Sequence, residues 1–179
     1  ARLRRTKMYF EQRAEFMLLL EKEIQTVIRR AENKGMIPAI RLNGTSDIPW
    51  ENVGFKSKDG KQYKNLMEKF PRIQFYDYTK RHKRNPPKNY HLTYSLAEDN
   101  DERAKLALKN KMNVAVVFDG ALPKRFWHRW VVNGDETDLR FLDETERLVR
   151  FGKAANCAKR FRSNLLCICK IFNVGKALG

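Results

Sequence analysis

Apolar residues near the start of the chain recur at helical spacing. Tyr9, Phe16, Leu20, Ile24, Val27 and Ala31 fall three, four or seven residues apart, which predicts one helix over about 9–33 with Gly35 as its C-terminal cap. The period then changes. Ile37-Pro38-Ala39-Ile40-Arg41-Leu42 is a short apolar run of strand type, closed by the turn residues Asn43-Gly44-Thr45-Ser46-Asp47. Residues 51–60 show no period and carry Gly54 and Asp59-Gly60. Tyr63, Leu66, Met67 and Phe70 fit a short helix over 61–70, stopped by Pro71. Ile73 to Tyr78 and Tyr90 to Ser95 read as a second and a third strand. Asp99 or Asn100 then N-caps a helix over roughly 101–111, and Asn113 to Phe118 is an unbroken run of the buried-strand kind.

Helix and strand thus alternate. The expectation is an α/β fold with a mainly parallel sheet and right-handed crossovers, of which a partial (β/α) barrel is one form. Beyond Asp119 the pattern weakens. Phe126 to Val132 fits one more strand, and Leu139 to Leu142 and Leu148 to Phe151 are short apolar pieces. From residue 147 onward there are eight Lys or Arg and no acidic residue. The expected organisation is a basic α/β domain over 1–152 and a basic, Cys-containing tail of uncertain structure over 153–179.

Composition sharpens this picture at one point. A length of 179 residues with 42% apolar content suits one domain with a real core. The charge does not follow the average: 37 Lys and Arg face 21 Asp and Glu, a net +16. A compact domain with that charge repels itself unless a polyanion is usually nearby, so nucleic acid is the expected partner and an anionic membrane surface the runner-up. The three cysteines, 157, 167 and 169, are odd in number and late, unlike a secretory disulfide framework. No signal peptide opens the sequence, and the longest apolar run, Leu165 to Val174, contains Lys170 and is too short to span a bilayer. A cytoplasmic protein is expected, with its oligomeric state open.

Candidate chemistry follows from the strand order. In a parallel sheet the C-terminal strand ends share one edge, where α/β folds bind ligands. Asn43, Asp47, Asp77, Lys80 and Ser95 are therefore the candidate catalytic residues, and Asp47, Asp77 and Asp119 the candidate ligands of a divalent metal ion. Asp135, Asp138 and Arg140 could close the same face or form a salt-bridged turn. The sharpest electrostatic feature is Lys80-Arg81-His82-Lys83-Arg84-Asn85-Pro86-Pro87-Lys88, with five Lys or Arg in nine residues after Tyr76 and Tyr78. Lys80, Arg81, Lys83, Arg84 and Lys88 are candidate phosphate contacts, and Arg2, Arg4 and Arg5 form a second basic cluster. Phe126-Trp127-His128-Arg129-Trp130 could stack on bases, although burial of both tryptophans is the first expectation. His82, His91 and His128 show no metal-ligand spacing, and Cys167-Ile168-Cys169 lacks partner ligands. Phosphate-loop, nucleophile-elbow and His-Glu-x-x-His motifs are absent from the sequence.

Four stretches are distinctive together: Arg41 to Glu51, Gln74 to Lys80, Asn89 to Ser95 and Asp135 to Asp143. In this order and spacing the chain resembles the phage gene-product-88-like proteins over roughly residues 3–154. The resemblance implies a phage or mobile-element setting. Proteins of that kind carry a Cys-rich segment ahead of the long helix, which this sequence is expected to lack, and the tail past Ala154 is expected to be unrelated to them. Three functions are then in view: an accessory protein that binds nucleic acid mainly through phosphate; an enzyme or enzyme remnant, metal-dependent and nuclease-like, at the strand ends; and an inhibitor acting on a host factor.

Overall fold

A computed structural model describes residues 2–44, 46–118, 123–145, 147–151 and 165–168. The helices are α1 (Arg2–Glu11), α2 (Arg13–Glu32), α3 (Leu66–Lys69) and α4 (Asp101–Lys109). The strands are β1 (Ile37–Ile40), β2 (Phe55–Lys56), β3 (Gln62–Tyr63), β4 (Gln74–Thr79), β5 (Tyr90–Ser95), β6 (Asn113–Val117), β7 (Arg125–Phe126), β8 (Arg129–Asn133), β9 (Leu148–Phe151) and β10 (Leu165–Ile168). Single 3-10 turns occupy Trp50–Asn52 and Arg140–Leu142. Two units emerge: residues 1–75, 85–90 and 162–179, and residues 76–84 and 91–161. Both β4 and β5 begin in the first unit and end in the second.

In the first unit the predicted stripe is buried: Tyr9, Phe16, Leu20, Ile24, Val27 and Ala31 all face inward, and Met17 joins them. Helix begins earlier than the apolar period, because Arg, Leu, Lys and Met are good helix formers. It also bends at Gln12 (φ −131°, ψ 51°). There the Arg13 side chain takes over the Tyr9 carbonyl at 2.9 Å and lays its guanidinium on the Tyr9 ring. Tyr9, Phe16 and Trp50 meet at centroid distances of 5.3–6.5 Å. Gly35 (φ 60°) ends α2 as predicted, with Met36 N–H on Ala31 O and Gly35 N–H on Glu32 O. Strand β1 pairs in parallel with β4 on one side, Ile40 opposite Phe75, and with β10 on the other, Ile37 opposite Leu165.

Residues 51–60, read as irregular, help to build a small antiparallel hairpin, β2–β3. Its anchor is Glu21 on α2, a carboxylate only 1% exposed. Glu21 accepts from Ser57 Oγ at 2.7 Å and from Lys58 N–H at 3.3 Å, and lies 3.6 Å from Lys69 Nζ. Lys69 also holds Asp59 at 2.5 Å and, with the Lys61 N–H, keeps that carboxyl well below the usual carboxylate range.

The second unit continues β4 into the order β5–β6–β9–β8–β7. Pairs β5/β6, β6/β9 and β8/β9 are parallel, and β7/β8 is an antiparallel hairpin. The expected α/β fold with a mainly parallel sheet is therefore what forms. Helix α4 covers one sheet face: Ala104, Ala107 and Leu108 pack on Tyr94, Val114, Val116 and Leu148. Side chains alternate across a strand, so Thr93, opposite Asn113, and Ser95, opposite Ala115, point to the other face. Among the described residues no helix is long and apolar enough to cross a membrane.

Candidate functional site

Asn43 and Asp47 share one loop of the first unit. Asn43 is buried and is the hub of that loop. Its Oδ1 accepts from Ser46 Oγ at 2.8 Å, Ile48 N–H at 3.1 Å and the Trp50 indole N–H at 3.0 Å, while its Nδ2 donates to Ile48 O at 3.0 Å. Those bonds fix the chain's path after β1 and seat Trp50 in the core. Asp47 is half-buried in the same loop.

Asp77, Lys80 and Ser95 belong to the second unit. Asp77, near the end of the predicted second strand, was expected to reach the polar edge beyond it, but it is the fourth of six residues in β4 and only 1% exposed. The strand runs on through Thr79 because β-branched and aromatic residues continue it. Ser95 closes β5 half-buried, and its carbonyl accepts from Asn100 Nδ2 at 3.1 Å. Asn100, the expected N-cap of α4, turns its side chain back to Ser95 O and Ala97 N–H instead of to the helix. Asp119 lies outside the described residues. Among the described residues no three His, Cys, Asp or Glu side chains gather to hold a metal ion.

The basic segment meets solvent. Lys80, Arg81 and Lys83 are exposed, Arg84 is half-buried, and Lys88, in the first unit, is exposed. Thr79 Oγ1 accepts the Arg81 N–H at 3.0 Å and so shapes the exit from β4. In the first unit Arg4 is exposed and Arg5 half-buried on α1.

A second polar group forms where β4 and β5 meet the 137–143 turn. Tyr78 and Tyr76 donate to Asp138 at 2.6 and 3.4 Å, and the Tyr76 ring lies 5.6 Å from Phe141. Arg140, 1% exposed, pairs with Asp143 at 3.1 Å and donates to the Thr137 carbonyl. Burial raises the Asp143 carboxyl, and Arg140 opposes that. The same burial pushes the His91 imidazole down to about 4, helped by the Arg140 charge. His91 Nε2, Thr93 Oγ1 and Asn113 Nδ2 find no hydrogen-bond partner among the described residues. Arg140 sits in an ion pair with Asp143, a residue outside the Asp135, Asp138 and Arg140 set read from the sequence, while Asp138 accepts from Tyr76 and Tyr78. His91 and Asp143 were not singled out in the sequence: a lone histidine in a strand carries no spacing signal.

A pH dependence follows. Between pH 6.5 and about 4 the unfolded chain takes up a proton at His91 that the folded chain refuses. Stability should therefore fall as pH drops through that window, by about 3 kcal/mol at most, with no further loss from this group below it. Urea midpoints of the wild type and His91→Gln at pH 7 and 4.5 test this. Equal acid losses in both proteins would remove His91 from the account.

The β7–β8 hairpin departs from expectation. Trp127 is partly buried, stacked on Phe126 at 4.8 Å, but Trp130 is 51% exposed. It stands opposite Arg125 in register, so it has a cross-strand neighbour but no core to enter. A groove of about 220 Å³ beside it is lined by His128, Arg129, Trp130, Glu144, Thr145 and Arg147.

Residues 1–163 match the profile of the family described as Gene product 88. No curated protein and no solved structure matches the chain.

Proposed function

We propose that this chain, which belongs to the Gene product 88 family, is a phage or mobile-element accessory protein that binds nucleic acid mainly through phosphate contacts. The observation that carries the reading is the exposure of Lys80, Arg81 and Lys83 in a chain of net charge +16. Ammonium and guanidinium groups held at a surface displace counterions from a phosphate backbone, and contacts of that kind ignore base sequence. Pro86 and Pro87 stiffen the segment and lower the entropy lost when its charges are fixed on a partner.

Replacing Lys80, Arg81, Lys83 and Arg84 together by Ala should weaken binding to every sequence alike and reduce the salt slope by roughly three to four. Fluorescence anisotropy with several unrelated oligonucleotides reads both quantities. An unchanged slope, or a loss confined to one sequence, would count against phosphate contacts by this segment.

A further inference from the structure

We infer that the β7–β8 hairpin holds a stacking site for an unpaired nucleobase, which makes single-stranded nucleic acid the preferred partner. The inference deepens the proposed function and rests on it. Trp130 is half-exposed on β8, and the Arg125 guanidinium lies 4.3 Å from the ring centroid. That cation steadies the indole and sets a positive charge beside it. The adjoining groove adds His128, Arg129 and Arg147, with Glu144 bonded to Arg147. Lys124 and Arg125 are exposed on the approach to the hairpin. An aromatic plane among cations suits a planar base joined to phosphates, and stacking accepts any base because each has a π-face.

The backbone supplies an independent observation. Trp127 and His128 form the hairpin tip at φ 47° and 60°. A two-residue turn of this kind normally carries Asn-Gly, and bulky residues there are strained. Strain of this sort gathers at functional sites. Here it places a tryptophan and a histidine where the turn alone would favour neither. Bases inside a duplex are already stacked on their neighbours, so the site discriminates for strands whose bases are free.

The test compares a 12-nucleotide single strand with the duplex of the same sequence at one salt concentration, for wild type, Trp130→Ala and Trp130→Phe. Trp130→Ala should lose roughly tenfold or more on the single strand and about twofold or less on the duplex, with Trp130→Phe keeping most of the affinity. The side chain is half-exposed, so the fold should survive, and circular dichroism with a thermal melt checks it. Equal losses on both ligands, or none on either, overturn the stacking site while leaving phosphate binding intact. A wild type that binds neither ligand overturns both readings.

Discussion

Arg140→Ala is expected to destabilise the second unit by about 3–5 kcal/mol. The guanidinium is almost wholly buried, and its ion partner Asp143 has only 11% of its side chain exposed. Taking the cation away leaves a carboxylate in a site that already disfavours its charge, and it also releases the Thr137 carbonyl. The cost is therefore mostly that of the charge left behind. Asp143→Asn added to Arg140→Ala should recover a large part of it, since an amide can stay in the site uncharged. Urea unfolding of the wild type, the single variant and the double variant measures both numbers. A loss under about 1 kcal/mol for Arg140→Ala would mean that the pair behaves like a solvated one. The same variant should let the His91 imidazole titrate at higher pH, because one of the two influences holding it down is gone. An NMR titration reads that change.

The second large effect is on affinity. If about six phosphates are neutralised on a duplex, binding should fall ~10³-fold between about 50 and about 200 mM salt. On single strands the counterion atmosphere is thinner, so the same number of contacts gives a shallower line, a loss of roughly 300-fold. The two slopes separate charge from stacking: salt acts on the phosphates, whereas Trp130 should shift the line without tilting it. Affinity that is flat across this range would leave the net charge of +16 without a role in binding.

How far the sequence foretold this arrangement depended on how much each element could say alone. The stripe of α2 shows a period, the Gly35 cap a turn residue, and β1, β4, β5 and β6 lie in apolar runs of six residues, and each forms near its expected place. β9 is four residues, Leu-Val-Arg-Phe, and no period can be read in four. Yet it lies between β6 and β8. β10 falls in the stretch read as a tail, where only pairing with β1 marks four residues as a strand. Of the candidate site residues, Lys80, Arg81 and Lys83 were legible as surface because charge runs are usually solvated. Asp77 falls inside the strand as read, but its burial was not legible, because an acidic residue near a strand end is ordinarily solvated. The exposure of Trp130 was not legible at all, because amphipathic residues at a hairpin are buried or bare according to what lies across from them.

A ladder of two residues per strand does not stand by itself in water. The β2–β3 hairpin is held by what it packs on: buried Phe55, and Glu21, which clasps it through Ser57, the Lys58 amide and Lys69. Detachment of that piece is then a partial opening that leaves α2 wound, reached at lower free energy than unfolding of the whole. The Glu21 carboxylate, with buried Phe55, raises the height of that first step, and so slows the trade of protons between amides 55–63 and the solvent while the remainder of the chain stays closed.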